Sequence, residues 1–191
     1  MLKRKYKFIL LFSYFLIVVG LFNIIYGYFK VTIRNKDNER LVNLYFNNYN
    51  DGKMPLNEEI IGVIQIPKIN LKRVLYDIKS DKNNINSNIE IINVSDMPDV
   101  DKGNLILASH SGNSDISYFK DLDKLEIDDE IDIYYNNKNY VYYLVDIYKV
   151  EKNGQVEIKR NENVNSLTLI TCDKSDKSKQ LVYVSELVNI R

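Results

Sequence analysis

The stretch Ser166-Leu167-Thr168-Leu169-Ile170-Thr171-Cys172 is continuously apolar or β-branched and closes on the only cysteine of the chain. A second stretch of the same texture, Asn104-Leu105-Ile106-Leu107-Ala108-Ser109-His110, closes on the only histidine. Runs of this length and composition, bounded by turn residues, read as buried strands. A thiol and an imidazole thus stand at two strand ends. These are the side chains most readily tuned to exchange a proton near neutral pH, so the pair points to a cleft for nucleophilic catalysis. Taken singly, each has a plainer reading, cysteine as a small buried hydrophobe and histidine as a structural residue. Their common context carries the argument.

Outward from these strands the chain keeps a β texture. Ile60–Ile66, Pro67-Lys68-Ile69 and Leu71–Ile78 are short β-branched runs, Ile89–Val94 is a weaker one, and Leu181–Val184 is a closing strand. Ile131–Tyr134 and Tyr140–Val150 form a hairpin around Asn136-Asn137-Lys138. Ser114 or Asp115 is expected to cap a helix with Phe119, Leu122 and Leu125 on one face. About eight short strands with one or two short helices predict an all-β barrel or sandwich rather than alternating β and α units. Long polar connections run over 80–88, 151–165 and 173–179.

The N-terminal part is different. Residues 8–29 form an apolar stretch of 22 residues, interrupted only by Ser13, Gly20, Asn23 and Gly27 among small or weakly polar side chains. That is long enough to cross a bilayer. Lys3, Arg4, Lys5 and Lys7 precede it, so the positive-inside rule predicts a short cytoplasmic tail over 1–7, a retained signal anchor over 8–29 and an external remainder. A polar stalk with a short amphipathic helix, bearing Leu41, Leu44 and Tyr45, is expected over 30–58 and ends at Asp51-Gly52 and Pro55. The barrel then occupies 59–191.

The formal charge of zero conceals an asymmetry. Five of the 26 basic residues lie in 1–30, where there is no acid, so 21 face all 26 acidic residues in the rest of the chain. A mildly acidic outer domain lacks the clustered cations that bind a phosphate backbone, and no nucleic-acid partner is expected. One cysteine and one histidine cannot make a zinc site, and Asp128, Asp129, Glu130 and Asp132 lack EF-hand spacing and read as a solvated turn. No cofactor or metal is expected.

Three texts in order, Gly62-Val63-Ile64-Gln65-Ile66-Pro67-Lys68-Ile69, Asn104–His110 and Thr168-Leu169-Ile170-Thr171-Cys172, following an N-terminal anchor, resemble the sortase family. The last resembles that family's TLxTC signature. The resemblance covers about residues 60–188 and implies an eight-stranded β-barrel and a cysteine transpeptidase on the outer face of a Gram-positive plasma membrane. It implies that Cys172 attacks an LPXTG-like sorting signal on an exported protein and forms an acyl-thioester. His110 protonates the leaving amine, and an amine of a peptidoglycan precursor or a pilin lysine resolves the thioester.

Sortases carry an arginine where the strand after the cysteine begins, and that position is Gln180 here. A glutamine amide donates a hydrogen bond without the forked positive charge. Arg160, in the loop before the Cys172 strand, is expected to substitute, since Lys179 falls on the opposite face by the two-residue period. Substrate contacts are expected from Arg160, Thr171 and Ser109, the threonine being equally a β-branched strand former. Two other functions compete: a weakened or inactive homologue serving as a binding module, and a thiol hydrolase that passes the acyl group to water. Papain-like enzymes place cysteine before histidine, the reverse of this chain.

Overall fold

The computed structural model describes residues 2–50 and 59–191. Helix α1 runs over Leu2–Asn50 and is followed by eight strands: β1 (Ile60–Ile66), β2 (Leu71–Tyr76), β3 (Glu90–Ile91), β4 (Asn104–Ala108), β5 (Glu130–Tyr135), β6 (Lys138–Glu151), β7 (Ser166–Cys172) and β8 (Lys179–Ile190). The chain divides into two compact units, residues 1–39 and 40–191.

In the first unit, apolar side chains such as the consecutive Phe8, Ile9, Leu10 and Leu11 are exposed all round the helix. The polar interruptions satisfy themselves, since Ser13 Oγ and Asn23 Nδ2 each donate to a carbonyl four residues back, both at 2.8 Å. At 1.5 Å per residue, the apolar stretch from Phe8 to Phe29 is about 33 Å long, close to the thickness of a bilayer's hydrocarbon core. This helix is long and apolar enough to cross a membrane.

The sequence reading places a separate short helix on the stalk; the structure has one continuous helix to Asn50. Its last turns belong to the second unit, where Leu41, Val42, Tyr45 and Phe46 pack on Ile60, Val63 and Val74 of β1 and β2. Tyr45 Oη donates to the Tyr134 carbonyl at 3.0 Å. Packing of that apolar face supports a helical run that solvated asparagines alone do not favour. The expected stop signals Asp51-Gly52 and Pro55 lie outside the described residues.

The strands form one sheet in the order β2-β1-β5-β6-β8-β7-β4-β3, antiparallel throughout except for the parallel pair β4–β7. The sheet curls into a nearly closed barrel. Its two ends approach through Asn88, just before β3, which accepts from Arg73 Nε and donates to the Val74 carbonyl of β2, both at 2.9 Å. Gly62 lets β1 lie close on β5, because a Cβ there would stand 2.6 Å from the Tyr134 carbonyl oxygen. The β5–β6 hairpin turns on Asn136 and Asn137, both with positive φ (47° and 56°), a turn whose twist matches that of the strands.

The barrel interior holds Leu105 and Leu107 of β4, Leu167 and Leu169 of β7, Tyr183 of β8, and Ile131, Ile133, Tyr140, Tyr142 and Leu144 of the hairpin. Desolvation there pushes the Tyr183 phenol up to about 12. The opposite face of β4 and β7 is also covered, since Ile106, Ala108 and Ile170 lie under Ile85, Ile92, Val156 and Ile158 from the connecting loops. Two-sided burial explains why these strands read as unbroken apolar runs rather than as alternating ones.

The helix expected after Ser114 is absent as an α-helix. The segment is a series of turns with one 3-10 turn at Leu122–Lys124, although Phe119, Leu122 and Leu125 are all buried in the core as that reading requires. The cause is visible in the backbone: the Phe119 N–H donates to the His110 carbonyl at 3.1 Å instead of to a carbonyl four residues back.

Candidate active site

The parallel ladder sets the site. Ala108 of β4 stands beside Ile170 of β7, and the Ser109 N–H continues the pairing by donating to the Ile170 carbonyl at 3.2 Å. Because side chains alternate, Ile106, Ala108 and His110 share one face with Thr168, Ile170 and Cys172. Extending the register two residues brings the imidazole and the thiol to neighbouring positions on that face. Both line an open cavity of about 500 Å³, together with Ser111, Gly112, Ser117, Asp173, Lys174 and Lys177.

The flanking residues lock this end of the barrel from the other face. Thr171 Oγ1 donates to the Ser109 carbonyl at 2.7 Å, and Ser111 Oγ donates to the Cys172 carbonyl at 2.5 Å. Deeper in the pair, Thr168 Oγ1 donates to Asn104 Oδ1 at 2.9 Å. Ser109 and Thr171 are buried. The Thr171 hydroxyl therefore serves the β4–β7 junction, while the Ser109 hydroxyl has no hydrogen-bond partner.

After Cys172 the chain turns on Asp173, whose Oδ1 accepts from the Ser175 N–H and hydroxyl at 2.8 and 2.7 Å and whose Oδ2 lies 2.6 Å from Lys149 Nζ. The Lys149 ammonium and then the Ser175 hydrogen bonds hold this carboxyl well below the usual carboxylate range. A depressed folded-state value stabilises the fold above the unfolded value near pH 4, and the contribution is lost as pH falls through the lowered folded value. Asp173→Asn is therefore expected to reduce stability at neutral pH and to flatten the acid limb below about pH 4, as measured by unfolding midpoints across pH.

Gln180 is paired directly with Cys172 across β7–β8 and with Val150 across β6–β8. Residues opposite one another share a face, so Val150, Gln180 and Cys172 form a row across three strands, and Lys152 lies two residues beyond Val150 in the same direction. Lys152 Nζ stands 3.6 Å from Cys172 Sγ. Arg160 is engaged elsewhere: its Nη1 donates to the Asn161 and Val164 carbonyls of its own loop, both at 3.4 Å. Lys179 pairs with Asp176 at 3.5 Å.

Lys152 escaped the sequence reading because its proximity depends on β6, β8 and β7 lying side by side in one register. Its only local signal is an even spacing from Val150, which means nothing until the strand order is known. Among the described residues no group of three or more His, Cys, Asp or Glu side chains gathers as a metal site.

A family model described as a sortase domain matches residues 64–188. Sortase A of Bacillus anthracis is 27% identical over 135 residues, a match covering 70% of this chain and 62% of that protein. The chain thus spans about three fifths of the length of that curated relative. Among solved structures, sortase C1 of Streptococcus agalactiae superposes with a TM-score of 0.61 at 26% identity, covering 85% of this chain and 90% of that one. The sortase D5 transpeptidase of Clostridium perfringens gives a TM-score of 0.63 at 21% identity over 80% of this chain and 98% of that one, a likeness of fold.

Proposed function

The chain belongs to the sortase family, and from this premise we propose that it is a membrane-anchored cysteine transpeptidase acting on exported proteins that bear an LPXTG-like sorting signal. The observation that carries the reading is the placement of Cys172 and His110 on one face of the parallel β4–β7 pair, lining one cavity.

In the first half-reaction the Cys172 sulfur attacks the carbonyl carbon after the signal's threonine. The C–N bond breaks, its electron pair leaves with the amine, and His110 supplies the proton that makes it a neutral leaving group. The product is a thioester, which retains enough acyl reactivity to be passed on without energy input. In the second half an amine of a peptidoglycan precursor or a pilin lysine attacks the thioester and gives its proton to His110, and the C–S electrons return to the sulfur. One imidazole serves as acid and then as base.

Val156 and Ile158 of the β6–β7 loop, half-buried over Ile106, Ala108 and Ile170, support docking of the signal's leucine and proline near the sulfur. The apolar part of α1, with Lys3, Arg4, Lys5 and Lys7 before it, supports a single-pass anchor with a cytoplasmic N-terminus and an external barrel.

The test is to incubate the full chain in detergent with a labelled LPXTG-like peptide and follow intact mass. An acyl adduct that is absent from Cys172→Ala and is converted to an amide by an added amine is the expected result. Release of the acid alone, with amine present, would make the protein a hydrolase. A second reading rests on Gln180, which offers the reaction no positive charge: a weakened homologue would bind the peptide and form no adduct.

A further inference from the structure

We infer that Lys152 is a catalytic residue that supplies the positive charge at Cys172, the charge that Gln180 does not provide. Its ammonium is the hydrogen-bond donor recorded at the sulfur, at 3.6 Å. Most of the other cations nearby are committed; Lys177, on the wall of the same cavity, has no recorded bond to the sulfur. Lys149 is paired with Asp173, Lys174 with Asp123 and Lys179 with Asp176, while Arg160 bonds its own loop. Among the described residues, Lys152 makes no ion pair that would compete with the sulfur.

The placement is built into the backbone. The β6–β8 ladder continues to Glu151 opposite Lys179, and the Lys152 N–H then donates to the Ser178 carbonyl at 2.8 Å, tying the base of the lysine to the loop that follows Cys172. From there the flexible four-carbon stem reaches Sγ.

A single ammonium at this point meets both charges the reaction creates. It opposes the negative charge on the sulfur before attack, and it lies within reach of the oxyanion formed when that sulfur bonds the carbonyl carbon. Lysine contributes as a compact point charge, so it can follow the charge from sulfur to oxygen without the fixed fork of a guanidinium. His110 keeps the proton transfers. The charged groups fixed beside Lys152 by the backbone are Glu151, its neighbour in the chain, and Lys179, opposite Glu151 on β8.

The meaning of this role rests on the transpeptidase reading, but its test does not. In the full chain in detergent, the rate at which iodoacetamide alkylates Cys172 at pH 7 is compared among the wild type, K152M and K152R. We expect about a tenfold slower reaction in K152M and a rate within about threefold of wild type in K152R, because alkylation needs the charged sulfur and an opposite charge this close favours it. With a sorting peptide, K152M should lose roughly a hundredfold in kcat with little change in KM. An unchanged alkylation rate in K152M, or a K152R as slow as K152M, overturns the assignment. Absence of any acyl adduct in the wild type would instead remove the transpeptidase reading, and the alkylation comparison would still decide the role of Lys152.

Discussion

His110→Asn is expected to slow both half-reactions by about 10²- to 10⁴-fold, the range associated with loss of a positioned general acid–base. The fold should not suffer, because what the structure takes from residue 110 is its carbonyl, the acceptor of the Phe119 N–H, and asparagine keeps it. An unfolding midpoint shifted by less than the equivalent of about 0.5 kcal/mol is therefore expected alongside the kinetic loss. The two steps can be measured separately, thioester formation by rapid quench and intact mass, and aminolysis by adding amine to preformed thioester. A variant as fast as wild type in both steps would show that protons travel through another group.

Phe119→Ala is expected to destabilise the barrel by about 3–5 kcal/mol, the usual cost of emptying an aromatic site in a core. Phe119 is 1% exposed and packs with Leu122, Leu125 and the inner side chains of the strands. Ile127→Ala is the matched control: with Ile127 half exposed at 51%, its loss should stay near 0.5 kcal/mol. The chain has 15 tyrosines and no tryptophan, so denaturant unfolding is conveniently followed by tyrosine fluorescence. Activity of Phe119→Ala should fall further than occupancy of the folded state accounts for, because the loop anchored on the His110 carbonyl loses its apolar footing. Equal stability of the two variants would mean that this loop is held by its hydrogen bonds alone.

The misread helix shows how local patterns mislead. Phe119, Leu122 and Leu125 recur every third residue, which suits an amphipathic α-helix and a 3-10 turn almost equally. The choice went to turns because a distant carbonyl, that of His110, took the backbone donor that an α-helix would have used internally. At the N-terminal helix the error ran the other way. The stalk was read as carrying a short helix of its own, yet the apolar face of Leu41, Val42 and Tyr45 found a partner on β1 and β2 and one helix ran through it.

Other features were local enough to be read directly. The Asn136-Asn137 turn needs two residues tolerant of positive φ, and asparagine advertises that tolerance wherever it stands. The strands leading to His110 and Cys172 announce two-sided burial by their unbroken apolar composition. The cation beside the sulfur announces nothing. Arg160 is close to the Cys172 strand in sequence and yet serves its own loop's carbonyls, whereas Lys152 is farther away along the chain and touches Sγ.

Residue order alone was therefore sufficient for the β class, the long apolar helix and the hairpin, because each depends on side-chain character over a few consecutive positions. The meeting of His110 with Cys172 on one face, and of Lys152 with the sulfur, came only with assembly of the barrel. Both follow from strand neighbours and register, β4 against β7 in one case and β6 through β8 to β7 in the other. A register is set by the packing of the whole sheet, and no short run of amino acids encodes it.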